Sequence, residues 1–169
     1  MDALPGLALL VSAAYPIYVA WGILNTMSEE STTPDLVELA RRSLEAANHR
    51  DFDAMLSFWS PDPVWDVSPM GLGVYEGPAA IRGFFEDWIG AYEEWEIEPE
   101  EILDLGNGVV LAVLLQSARP AGSDGRVRLR YAAVSLWIEE GSVERTTNYG
   151  DIDEARAAAE RLAQERADG

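Results

Sequence analysis

The chain has no cysteine, no lysine and a single histidine among its 169 residues. Without cysteine there is no disulfide framework, no thiolate metal site and no cysteine nucleophile, although the redox compartment stays open. One histidine, His49 in a polar turn, leaves a transition-metal site short of ligands and leaves no basis for a Ser-His-Asp set. No glycine-rich phosphate loop precedes a lysine, so nucleotide chemistry finds no anchor either. All 12 basic residues are arginine and stand against 30 acids, a formal net charge of −18. Such a field repels phosphates and anionic lipid heads, which argues against a nucleic-acid partner.

What is present is apolar patterning. Nearly half of the residues are hydrophobic, enough for one sizeable core and too few residues for a second. Residues 1–27 differ from the rest, because Ala3 to Leu24 carry no charge and are long enough to span a bilayer. Pro5 and Pro16 interrupt that stretch, no basic residue precedes it, Ser12-Ala13-Ala14 is a poor cleavage signal, and the following flank is acidic. A start-site extension, an anchor and a signal segment all stay open for residues 1–27. The globular domain is expected over residues 28–169, cytoplasmic unless residues 3–24 anchor it to a membrane.

Thr33-Pro34-Asp35 predicts a helix start with Thr33 as cap, followed by Leu36, Leu39, Ala40, Leu44 and Ala47 at helical spacing. Asp51 is expected to cap a short helix carrying Phe52, Met55, Phe58 and Trp59, stopped by Pro61 and Pro63 before a strand over Val64–Ser68. Gly77-Pro78 opens a third helix expected to run to about Glu94. Strands follow: Trp95–Leu105, irregular at Pro99; Val109–Ala118 after the turn Gly106-Asn107-Gly108; then Arg126–Ile138 and Val143–Tyr149, joined through Glu139-Glu140-Gly141. Hairpin connections imply antiparallel pairing. Asp151 with Glu154 forms a capping-box pattern heading a last, alanine-rich helix.

This order is α+β, with helices laid on one face of a curved sheet. The segments AANHRDFDAMLSFWSPDPVWD, VYEGPAAIRGFFEDW and VERTTNYGDIDEARAAA, in this order and spacing, resemble the nuclear-transport-factor-2-like superfamily and its SnoaL-like group of polyketide cyclases and ketosteroid isomerase relatives. The resemblance runs from about Leu36 to Glu160. It implies a cone-shaped curved antiparallel sheet with helices packed on its concave face around a hydrophobic cavity, often in a homodimer. That architecture hosts many chemistries and some non-catalytic binders, so function rests on the residues of the site. Ketosteroid-isomerase chemistry needs a carboxylate base and two acidic donors. Carried over from the family, those positions fall on Val67, Ser43 and Val134, none of which supplies the group.

Asp66, beside Trp65 and Val67, is the candidate catalytic carboxylate: desolvated it would shuttle a proton, and otherwise it anchors the strand end through backbone or Ser68 bonds. A one-residue slip in a strand reverses the face to which a side chain points. Trp65, Trp88 and Tyr92 are candidate walls of a ligand cavity or simple core. Gln116, on the strand face of Val110, Ala112 and Leu114, and Asn148 are candidates for orienting a ligand oxygen. Arg126, Arg128 and Arg130 share one strand face; Arg130 is the candidate for a ligand carboxylate, against a plain solvated face pairing with acids. The acidic run from Glu93 to Glu101 reads as solvated surface. The expected partner is a small hydrophobic molecule, bound without cofactor or metal. The alternative is a cofactor-independent isomerase, cyclase or hydrolase using Asp66.

Overall fold

The computed structural model describes residues 33–138 and 141–169. The apolar leader of residues 1–27 and the Glu139-Glu140 portion of the last hairpin turn lie outside the described residues. Helix α1 spans Leu36–Asn48 and is capped by Asp35, whose Oδ1 accepts the Glu38 N–H at 3.1 Å. The cap is therefore Asp35 and not Thr33: Pro34 stays outside the helix, and the carboxylate of Asp35 reaches the third helical amide. The apolar stripe divides its work, with Leu36, Leu39 and Ala40 packing near Val110, Trp137 and Val143, and Leu44 and Ala47 joining a cluster with Ile97, Leu114 and Tyr131. At the helix end the Asn48 amide donates to the Ile97 carbonyl at 2.8 Å and accepts the Ile97 N–H at 2.7 Å.

Helix α2, Phe52–Leu56, starts at Asp51 as expected, its carboxylate accepting from Ala54 N–H. It ends sooner than its apolar spacing suggests, because Trp59 opens strand β1, Trp59–Asp66. Pro61 and Pro63 lie inside that strand. They are tolerated because the pairing of β1 shifts register between Trp59 and Val64, so no regular ladder donor is needed there. A 3₁₀ turn, Ser68–Met70, and strand β2, Val74–Glu76, lead to helix α3, Pro78–Gly90. The helix stops four residues before Glu94, since Tyr92 pairs with Pro120 and the sheet takes the chain from there.

Strand β3, Tyr92–Asp104, turns through Gly106-Asn107-Gly108 into β4, Val109–Pro120; all three turn residues have positive φ. Strands β5, Val127–Ile138, and β6, Ser142–Tyr149, follow, and helix α4, Ile152–Asp168, closes the chain with Asp151 accepting the Glu154 N–H. The six strands form one curved open sheet in the order β2-β1-β6-β5-β4-β3. Every pairing is antiparallel except β1 with β6, which is parallel. Hairpin logic holds only for strands joined by short turns, and β1 meets β6 across most of the domain.

The pleat sorts the sheet into two faces. Val110, Ala112, Leu114, Tyr131, Ala133 and Trp137 face helices α1 to α3. Val109, Leu111, Val113, Ala132 and Val134 point the other way, onto Ala155, Ala159 and Ala163 of α4. Helices thus cover both faces, three around the cavity and one on the reverse side. No helix among the described residues is long and apolar enough to cross a membrane.

Candidate functional site

Between α1, α2, α3 and the inner sheet face the side chains do not fill the available space. Ala112 and Ala133, partners across β4 and β5, present only methyl groups at the centre of the sheet. Above them lies a cavity of about 110 Å³, walled by Met55, Trp59, Leu114, Trp137 and Val143 among others. A smaller cavity of about 40 Å³ adjoins it, walled by Val67, Trp88, Trp95, Gln116 and Leu129. Trp65, Phe85, Ile97, Tyr131 and Asn148 belong to both walls. The rings of Trp65 and Phe85 stack at 4.3 Å between centroids and 7° between planes, and Phe84 meets Trp65 edge-on at 4.7 Å.

No charged side chain lines either cavity. The polar groups are few and differ in how they are satisfied. Ser135 and Thr146 share a hydrogen bond at 2.9 Å. Asn148, 6% exposed, has an Oδ1 without a partner, and the indole N–H groups of Trp95 and Trp137 are likewise buried and unpaired. Buried polar atoms are nearly always paired, so three exceptions around one pair of cavities mark a place built for something else. Burial pushes the ionisation of Tyr131 well above the ordinary tyrosine range, leaving a neutral phenol on the shared wall. Among the described residues no cluster of three or more His, Cys, Asp or Glu is placed to hold a metal ion.

The structure brings Trp65, Asn148, Gln116 and Trp88 to the cavities and separates the other candidates from them. Tyr92 lies instead in a surface groove with Tyr75, Phe84 and Trp88. Arg130 alternates with Leu129 and Tyr131, both of which line cavity walls, so its guanidinium is on the reverse face, 55% exposed and bonded to Glu100 at 2.6 Å. A ligand carboxylate in the cavity is beyond its reach. Asp66 follows the same rule: Trp65 and Val67 line the cavities, and the carboxylate between them points away. Of the three family positions, Ser43 and Val67 do line the cavities, whereas Val134 faces α4.

What Asp66 does instead is hold the end of β1. Its Oδ1 accepts from the Ser68 hydroxyl at 2.6 Å and the Ser68 N–H at 3.0 Å, and its Oδ2 from Arg145 at 2.7 Å. Burial raises its pKa, but the bonds from Ser68 and Arg145 outweigh that effect and leave it below the ordinary carboxylate value. A proton shuttle needs the opposite shift at neutral pH. Because the folded-state pKa is depressed, the stabilisation is complete above the unfolded value and is lost as pH falls through the folded one. Asp66→Asn is therefore expected to cost about 1–2 kcal/mol at pH 7, allowing for the half-exposed Arg145. In urea titrations the gap between the two proteins should narrow as pH falls below the ordinary aspartate range; a gap that does not change with acidification would contradict the assignment.

Residues 40–146 match the family model of the SnoaL-like domain. The chain belongs to this family. Among solved structures, this SnoaL-like domain is similar to an NTF2-like protein of Burkholderia pseudomallei, at 21% identity over 72% of this chain and 94% of that one, TM-score 0.60. It is also similar to a Mycobacterium tuberculosis protein solved with estradiol-17β-hemisuccinate, at 17% identity over 68% and 92%, TM-score 0.59. A third is the epoxide hydrolase/cyclase-like enzyme SalBIII of salinomycin pyran-ring formation, at 23% identity over 66% and 87%, TM-score 0.58. At these identities the likeness is one of fold. No curated protein matches the sequence.

Tyr131, Trp95 and Trp137 were not among the sequence candidates of this SnoaL-like domain. Tyr131 and Trp137 were legible in principle, since both lie on the strand parity opposite Arg126, Arg128 and Arg130. Trp95 was obscured by the expected helix that ran up to it.

Proposed function

We propose that this domain binds a small, neutral, largely apolar molecule in the paired cavities and performs no acid–base chemistry on it. The observation that carries this reading is the wall itself, which has no charged side chain and no general base; its phenol, Tyr131, is held protonated. Moving a charge into such a space without a counter-charge is costly, so neutral ligands are favoured over ions. The larger cavity by itself is close to the size that takes one six-membered ring, since an apolar cavity of about 150 Å³ accommodates benzene. The relative crystallised with estradiol-17β-hemisuccinate supports ligand binding as a use of this fold. Proton transfer through Asp66 has no support in the geometry, because that carboxylate lies on the far side of β1.

Titration calorimetry with p-cresol and its charged analogue p-toluate tests this directly. Binding of p-cresol at least tenfold tighter than p-toluate is expected, from the desolvation of the carboxylate. Asp66→Asn should leave p-cresol affinity within about twofold, a change below the worth of one hydrogen bond. Preferential binding of p-toluate, or loss of p-cresol binding in Asp66→Asn, would overturn the reading.

A further inference from the structure

We infer that the two cavities are the two ends of one binding site, whose ligand is elongated and carries an oxygen acceptor at each end. The inference rests on the ligand-binding reading above and adds the shape and chemistry of the ligand. Continuity comes from the walls: five residues are common to both, and the stacked Trp65–Phe85 pair stands at the boundary. The residues that carry the unpaired atoms line these same walls. Trp137 belongs to the larger cavity, Trp95 to the smaller, and Asn148 to both.

The chemistry of those atoms specifies what they lack. An indole N–H can only donate, so each tryptophan calls for an acceptor such as a carbonyl or hydroxyl oxygen. The carbonyl oxygen of Asn148 can only accept, which a hydroxyl on the same ligand satisfies. Neither indole N–H has a partner among the described residues, and Ser135 and Thr146, two of the hydroxyls on the wall with Trp137, are turned toward each other. Gln116 stands with Trp95 on the smaller wall, 5% exposed, and adds an amide at that end. A ligand with one polar end would satisfy one tryptophan and leave the other bare. A molecule with oxygens at both ends and an apolar middle, lying past Trp65 and Phe85, satisfies both.

The test compares a two-ended probe, raspberry ketone, which is neutral with a phenol at one end and a ketone at the other, with two one-ended relatives, p-butylphenol and benzylacetone. On the intact chain, calorimetry should show the two-ended probe binding at least about tenfold tighter than either relative, the equivalent of one well-made buried hydrogen bond. Trp137→Phe and Trp95→Phe should each remove most of that advantage while leaving p-butylphenol or benzylacetone, whichever uses the other end, nearly unaffected. Folding of the variants is checked by their thermal melts. Should either variant fail to fold, the wild-type indole N–H resonances supply the answer, since those of Trp95 and Trp137 should both move downfield on binding the two-ended probe. Equal affinity for all three probes, or a shift of neither indole resonance, would overturn the two-ended site while leaving the ligand-binding reading intact. Failure of every probe and of p-cresol to bind would overturn both.

Discussion

Gly108→Ala is expected to destabilise the domain by about 2–5 kcal/mol, more than any other single methyl addition in its turn. Gly108 has a φ of +79°, in the region L-residues avoid, and a Cβ built there would lie 2.2 Å from the Trp137 carbonyl oxygen. That oxygen is backbone and cannot swing aside. The same junction carries a hydrogen bond of 2.7 Å from the Trp137 N–H to the Gly108 carbonyl, at the point where β5 shifts register against β6. The left-handed conformation accounts for about 1–2 kcal/mol and the forced backbone displacement for about 1–3 more. Gly106→Ala is the internal control, because Gly106 has a similar φ of +83° and nothing within 4 Å of its Cβ position. Urea denaturation should show a loss of about 1–2 kcal/mol for Gly106→Ala and at least twice that for Gly108→Ala. Equal losses would mean that the close approach of β5 contributes nothing. Since Trp137 walls the larger cavity, the displaced variant should also bind its ligand more weakly than Gly106→Ala does.

Filling the cavity tests function with the least disturbance to the fold. Ala133→Leu introduces three carbons at the middle of β5, where the Ala133 side chain faces the larger cavity between Ala112 and Asn148. Ligand and side chain then compete for one volume. Affinity for p-cresol should fall at least about a hundredfold, close to 3 kcal/mol, since the new isobutyl group must be expelled before a ring can enter. Stability should stay within about 1 kcal/mol of wild type, because the added burial offsets whatever packing strain arises. Calorimetry and a thermal melt on the same sample separate the two effects. Retained affinity in a folded Ala133→Leu protein would place the ligand elsewhere.

How much of this was legible in the sequence depends on the range of the interaction responsible. Local signals carried well: Asp51 and Asp151 cap the helices they precede, Gly106-Asn107-Gly108 makes the hairpin, and Pro99 coincides with an irregularity in β3. Resemblance to the SnoaL-like group added the curved sheet and its cavity. Pairing between distant segments decided what the local signals left open. The parallel contact of β1 with β6 admits Pro61 and Pro63 to a strand, and the demand of β4 for a partner draws Tyr92 out of α3. The site was half legible for a related reason. Trp65, Asn148 and Gln116 stand out in the sequence and line the cavities, whereas Asp66 and Arg130 stand out by their chemistry although the alternation of their own strands sends both to the reverse face. The convergence of Trp95 and Trp137 on adjoining cavities depends on β3 and β5, which meet only through β4, and no local pattern encodes it.

The bond between Asn48 and Ile97 reaches beyond the site. Strand β3 is the last in the sheet and long enough to invite a neighbouring chain to add itself in register. Asn48 occupies both the N–H and the carbonyl of Ile97, so the side chain takes the place that an intruding strand would claim. On either side the edge carries Glu93, Glu94, Glu96, Glu98, Glu100 and Glu101, with Pro99 withholding a donor. The edge therefore offers no unbroken row of hydrogen-bonding groups, which guards an open sheet against edge-to-edge aggregation.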